Sequence, residues 1–173
     1  MPEQKGIYSI IPITAHNHSN LAQGGNLIKG SFDTSIINSK FRVYRANVQS
    51  IPADTETIIE FTNKTYDPLS IFNITTYKFT CPYSGMWIFS VYLTIGTVVA
   101  NYQLNIRFIN QASTIISQCW KPLITGIGIN SVNFEDIQQL SVSNTIQVQV
   151  LCSNALTLQG GEDRTFFTAR WFL

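Results

Sequence analysis

The stretch "TTYKFTCPYSGMWIFSVYL", Thr75 to Leu93, limits the folds open to this chain more than any other. A strand-like run, Tyr77-Lys78-Phe79, breaks at Cys81-Pro82, turns at Ser84-Gly85 and resumes with large apolar side chains. Proline donates nothing to a strand ladder, so the strand ends or bulges there, and Gly85 permits a tight re-entry. Successive residues of a strand point to opposite faces. Large apolar residues at both parities therefore call for burial on both faces, which a single sheet covered on one side does not supply.

The rest of the chain from Phe41 onward repeats the theme. Helical periodicity is nearly absent, and short runs rich in Ile, Val, Thr, Phe and Tyr alternate with turn residues, the pattern of an all-β sandwich. "FRVYRANV" sets Phe41, Val43 and Arg45 against Arg42, Tyr44 and Ala46. "TIIEFTN" follows Pro52-Ala53-Asp54, and "MWIFSVYLTI" and "YQLNIRFIN" are expected as paired runs either side of Gly96–Asn101. "TIQVQVLCS" places Ile146, Val148, Val150 and Cys152 on one face, opposite Thr145, Gln147 and Gln149. The final run, "RTFFTARWFL", ends on Trp171-Phe172-Leu173, which predicts a central strand with a buried end.

Residues 1–40 read differently. They are rich in Ser, Asn, Gly and Thr, with scattered Ile and Leu and no sustained period. Such a segment cannot form a core alone, so the expectation is an extended N-terminal arm or anchor, followed by a head over residues 41–173.

Composition narrows the function classes. Of 173 residues, 45% are hydrophobic and only 12% charged, against about 25% charged in an ordinary soluble domain. So few charges favour an assembled protein over a solitary one. The formal net charge of +1, with no basic run, argues against nucleic-acid binding. No charged n-region followed by an apolar h-region is seen, and the weakly polar stretch Thr94–Ala100 is too short for membrane insertion. Cys81, Cys119 and Cys152 cannot all pair within one chain and are expected as reduced, buried thiols. Sequons at Asn17, Asn63 and Asn73 are not expected to carry glycans without a secretory signal.

With these residues in view, "FTCPYSGMWIFSVYL" (Phe79–Leu93) resembles the central signature of the complement C1q-like globular head: Phe-Thr-Cys-Pro, two residues, Gly, then an aromatic strand. Phe61, Phe72-Asn73 and Tyr77-Lys78-Phe79 fit its lead-in, and "FFTARWFL" is similar to its closing motif, with Ala169 where Gly is usual. Ser143-Asn144 stands where the family has a Gly-Asp turn. The resemblance implies a ten-stranded C1q/tumour-necrosis-factor (TNF)-like jelly roll that assembles as a homotrimer about a threefold axis. One face of the Tyr77–Leu93 strands would then fill the core, and part of the other would meet neighbouring subunits.

Few residues suggest chemistry. The two histidines, His16 and His18, lie one residue apart and would point the same way in an extended strand. Three chains around an axis would bring six imidazoles together, a set suited to iron or nickel. Some fibrous phage proteins are similar, carrying His-X-His in an axial strand, and "AQGGNL" (Ala22–Leu27) resembles glycine-containing arms of tail and head fibres. With both histidines in the arm, no distributed nucleophilic set is available, so no enzyme is expected. "GGED" (Gly160–Asp163) is similar to the signature loop of cyclic-dinucleotide synthases but lacks their context, and a turn between strands is expected there. Glu135-Asp136 and Glu162-Asp163 are carboxylate pairs with the oxygen chemistry for calcium, but adjacent strand residues diverge, so solvated loop charges are expected.

The leading expectation is a virion structural protein: a trimeric head fibre, spike or tail-tip component of a virus or phage, made in the host cytoplasm. Residues 1–40 would dock on capsid or tail proteins, and the head would meet a host-surface receptor or glycan. The alternative is a soluble C1q/TNF-like recognition or signalling ligand.

Overall fold

The structure is a computed structural model that describes residues 39–98, 101–125 and 129–172. Residues 1–38, with His16, His18 and nearly all of the expected arm, lie outside the described residues.

In chain order the strands are β1 (Lys40–Tyr44), β2 (Gln49–Ile51), β3 (Thr57–Ile58), β4 (Asn63–Tyr66), β5 (Phe72–Asn73), β6 (Lys78–Thr80) and β7 (Gly85–Ile95). They continue as β8 (Tyr102–Ile109), β9 (Ile115–Leu123), β10 (Asn130–Leu140), β11 (Thr145–Cys152), β12 (Leu156–Leu158) and β13 (Phe166–Phe172). The larger sheet runs β2-β12-β7-β13-β1-β4 with β10 on the other side of β7, and the smaller runs β5-β6-β11-β8-β9 with β3 also on β11. Every pairing is antiparallel. The strands exceed the expected ten because two- and three-residue pieces such as β2, β3, β5 and β12 stand apart from their longer neighbours.

The period-2 pattern chooses the core. From β7, Trp87, Phe89, Val91, Leu93 and Ile95 are fully buried, while Ile88, Ser90 and Tyr92 between them are only partly so. From β11, Ile146, Val148, Val150 and Cys152 point inward as the alternation predicts. Rings join the layers: Phe41 of the larger sheet lies 5.2 Å from Phe72 and 5.6 Å from Phe79 of the smaller, and Phe89 lies 5.8 Å from Phe108. Offset and edge-on contacts of this kind add to the area they bury.

The opening motif folds as its residues dictate, with one adjustment. Tyr77 has φ of 58° and closes the β5–β6 turn rather than starting the strand. In that turn Asn73 Oδ1 accepts from the Thr75 and Thr76 amides at 2.8 and 3.0 Å. At the break, the Cys81 amide donates to the Asn144 carbonyl (2.8 Å) and the Ser143 amide donates to the Cys81 carbonyl (2.9 Å). Ser143-Asn144 is a turn, with Ser143 at φ of 70°.

Three expectations need correction. β7 and β8 do not pair: β7 lies in the larger sheet and β8 in the smaller. Glu135 and Asp136 sit within β10, not in a loop. The chain end is central, with β13 between β7 and β1, yet Phe172 is 54% exposed, because it falls on the parity that faces away from the core.

Candidate functional site

The outward face of the larger sheet exposes Tyr66, Ile137 and Phe172 to solvent. Register places Asn133, Tyr92, Phe166 and Tyr44 in one row across β10, β7, β13 and β1. Glu135, Ser90, Thr168 and Arg42 form the next row, followed by Ile137, Ile88, Arg170 and Lys40, and then Gln139, Met86 and Phe172. Cations therefore gather on β1 and the end of β13, while the β10–β7 half carries Ile137, Ile88 and Met86 with the single carboxylate of Glu135. Ile137 is 48% and Tyr66 40% exposed, so this face leaves large apolar groups in water.

Parts of the face are built rigidly. Tyr92 and Phe166 stack at 5.3 Å, and the Arg42 guanidinium lies 3.7 Å from the Phe166 ring centroid. Arg42 also donates to the Glu162 carbonyl (3.0 Å), and Glu162 accepts from the Thr65 hydroxyl (2.6 Å). Glu162 thus belongs to the strand-connecting turn at Gly160–Asp163, the expected place for "GGED". Between the rows opens a shallow hollow of about 300 Å³, bordered by Ser90, Glu135, Thr168 and Arg170. Glu135 forms no ion pair among the described residues.

No group of three or more His, Cys, Asp or Glu among the described residues can hold a metal ion. Glu135 faces outward while Asp136 pairs with Phe89 on the other parity, so this pair diverges as adjacent strand residues must. Cys81 and Cys152 are buried and Cys119 partly buried, all three free. Burial pushes the Cys81 and Cys152 thiols above their ordinary 9.0, which suits packing rather than nucleophilic chemistry.

Of the Tyr77–Leu93 strands, whose outer parity was expected in part to meet neighbouring subunits, Ile88 and Tyr92 lie on this face. The contribution of β10 to this face, and in the other sheet the strand β9, were harder to find. "IISQCWKPL" and "NSVNFEDIQQL" mix polar and apolar residues without clean alternation, so β9 and β10 gave little strand signal. The period-2 placement of Phe134 against Glu135 was the clue available.

A scan of family models and a search of curated proteins give no match. Solved structures do match. The globular domain of zebrafish complement 1qA aligns with TM-score 0.55 at 14% identity, over 78% of this chain and 98% of that one. Eiger TNF from S. frugiperda aligns with TM-score 0.60 at 9% identity, over 78% and 92%. Murine APRIL aligns with TM-score 0.58 at 12% identity, over 78% and 98%. Identities this low speak to the fold: the described chain is an all-β, C1q/TNF-like jelly-roll head.

Proposed function

We propose that this chain is a non-enzymatic recognition head that works as a homotrimer, in the manner of the C1q/TNF-like ligands whose fold it shares. The observation that carries this reading is the outward face of the larger sheet, where Ile137, Tyr66 and Phe172 are each at least 40% exposed in a single chain. Burying a large apolar side chain contributes about 1.5–3 kcal/mol, so a few such residues per chain support a lasting assembly. Native mass spectrometry of the full chain tests it, with a trimer expected at micromolar concentration. Ile137→Glu is expected to leave the head folded, because Ile137 is exposed in the monomer, and to yield monomer. An unpaired buried charge costs about 3–5 kcal/mol, more than hundredfold in association. A wild-type monomer would remove the reading.

A second reading mounts the same head on a particle, as a fibre, spike or tail-tip component of a virion. The composition of residues 1–40 favours it: fibre-like "AQGGNL", docking-size Ile and Leu, and too little apolar content for an independent core. Deleting residues 1–30 is expected to leave a folded head that no longer joins the particle. Undiminished incorporation would sink it. On this reading His16 and His18 of three chains hold one iron or nickel ion.

A further inference from the structure

The opposite sheet carries a second feature, at the end where β8 begins and β11 finishes. A hollow of about 430 Å³ opens there, lined by Asp54, Gln103, Trp120, Leu151, Ser153 and Asn154 among others. That volume lies within the roughly 300–1,000 Å³ of small-ligand sites. Trp120 at its margin is 52% exposed, whereas Trp87 is fully buried in the core. A tryptophan normally hides most of its surface, and an indole left open beside a hollow offers a flat apolar face to a ligand.

The surroundings are fixed before any ligand arrives. Asp54, at φ of 49°, donates its amide to the Cys152 carbonyl at 2.7 Å, and the Cys152 thiol reaches the Gln103 carbonyl at 3.4 Å. Register sets Asn105 between Trp120 and Leu151, two residues of the lining. Asn105 is wholly buried, its amide donates to Gln118 Oε1 at 3.0 Å, and its Oδ1 has no protein partner. A buried acceptor without a protein partner is unusual, although Asn105 neighbours the lining rather than forming part of it.

The lining also selects a ligand class. It contains amides, hydroxyls and the carboxylate of Asp54, but no lysine or arginine. Phosphate, sulfate and other anions would meet no counter-charge. Neutral amide and hydroxyl groups beside one carboxylate both donate and accept, which matches adjacent hydroxyl groups on a ring. The C–H face of a pyranose supplies the apolar surface that the indole needs. An added peptide strand fits less well: β9 pairs only with β8 among the described strands, but Pro122 interrupts its donor row.

We propose that this hollow binds a neutral saccharide, with one pyranose ring stacked on Trp120 and its hydroxyls held by Asp54, Gln103, Ser153 and Asn154. This deepens the recognition-head reading and rests on it. The test is titration of the full chain with methyl glycosides of galactose, glucose, mannose and N-acetylglucosamine, followed by intrinsic fluorescence and ligand-observed NMR. At least one sugar is expected to saturate at about 10 mM or below. Trp120→Ala is expected to weaken that sugar at least about tenfold, and Trp120→Phe to keep part of the binding, as an aromatic face requires. Asp54→Asn is expected to weaken it while far-ultraviolet circular dichroism stays unchanged. Failure of every sugar to saturate, a response confined to acidic sugars or peptides, or unaltered binding by Trp120→Ala would overturn the proposal. Native mass spectrometry of the same samples keeps the two readings apart. A trimer that ignores all the sugars defeats this site alone, whereas a monomer defeats the assembly reading whatever the sugars do.

Discussion

Phe167 lies at the meeting point of five other rings: Phe41 at 5.1 Å, Phe61 at 5.6 Å, Phe72 at 6.1 Å, and Phe89 and Phe108 at 5.9 Å. Phe167→Ala is expected to cost about 3–5 kcal/mol, read as a lower urea midpoint, because no small movement of one sheet can refill a space that both share. Gly85 is constrained differently. Its φ of 147° disfavours any side chain, and a Cβ there would stand 2.5 Å from Trp171 Nε1. Gly85→Ala is therefore expected to destabilise by about 1–3 kcal/mol in the same assay. The thiols make a pH prediction. Burial holds Cys81 and Cys152 above their ordinary 9.0. On raising the pH, the unfolded chain loses these protons first, so the thiols' contribution is complete below about 9 and is lost as pH climbs through the folded values. Urea midpoints are expected to fall on the alkaline side, and a Cys81→Ala, Cys152→Ala double variant to flatten that fall.

Among the elements, the short edge pieces depend on side chains rather than on ladder length. Gln49 of β2 is buried and clips the two sheets together: its Nε2 donates to the Ile58 carbonyl (2.9 Å), and its Oε1 accepts from the Glu60 amide (3.1 Å). Gln49→Ala is expected to cost about 1–3 kcal/mol, because two part-buried backbone groups lose their partners. Faster amide exchange at Glu60, with β7 unaffected, is the readout. Elements also differ in how far the sequence announces them. β7, β11 and β13 have inward parities filled almost wholly by apolar residues, so their alternation and the sandwich they demand were readable. β9 and β10 face the core with one parity interrupted by Lys121, Asp136 and Gln138, which blurs the period. Which strands share a sheet was not local information either, hence the false pairing of β7 with β8. The outward face of the larger sheet was half legible for the same reason: Ile88 and Tyr92 announced themselves, while Ile137 did not. Trp120 gave no signal at all, since its exposure comes from the end of a sheet that pattern alone does not locate.

For the whole molecule, the self-association and mounting proposals make separable demands. The proposed assembly surface draws on residues of the head alone, so a chain lacking residues 1–30 is expected to remain trimeric by native mass spectrometry. The metal proposal concerns residues 1–38 alone. Elemental analysis of the trimer is expected to give one transition-metal ion per three chains, and none after His16→Ala, His18→Ala substitution. Imidazole must be neutral to bind, so occupancy is expected to drop as pH falls below about 6. A trimer that persists while the metal leaves would show that head contacts, not the ion, hold the chains together.

The position of β13 sets the order of events at the ribosome. Phe166–Phe172 is made late, yet it lies in the middle of the larger sheet, laddered to β7 on one side and to β1 on the other. Until this strand has left the exit tunnel, β1 has no place beside β7, and the ring cluster around Phe167 has no centre. The head therefore closes only once Phe172 has emerged, through pairings between its most distant parts, which are slow to form. Nascent chains stalled before Phe166 are expected to stay protease-sensitive, however complete their other strands.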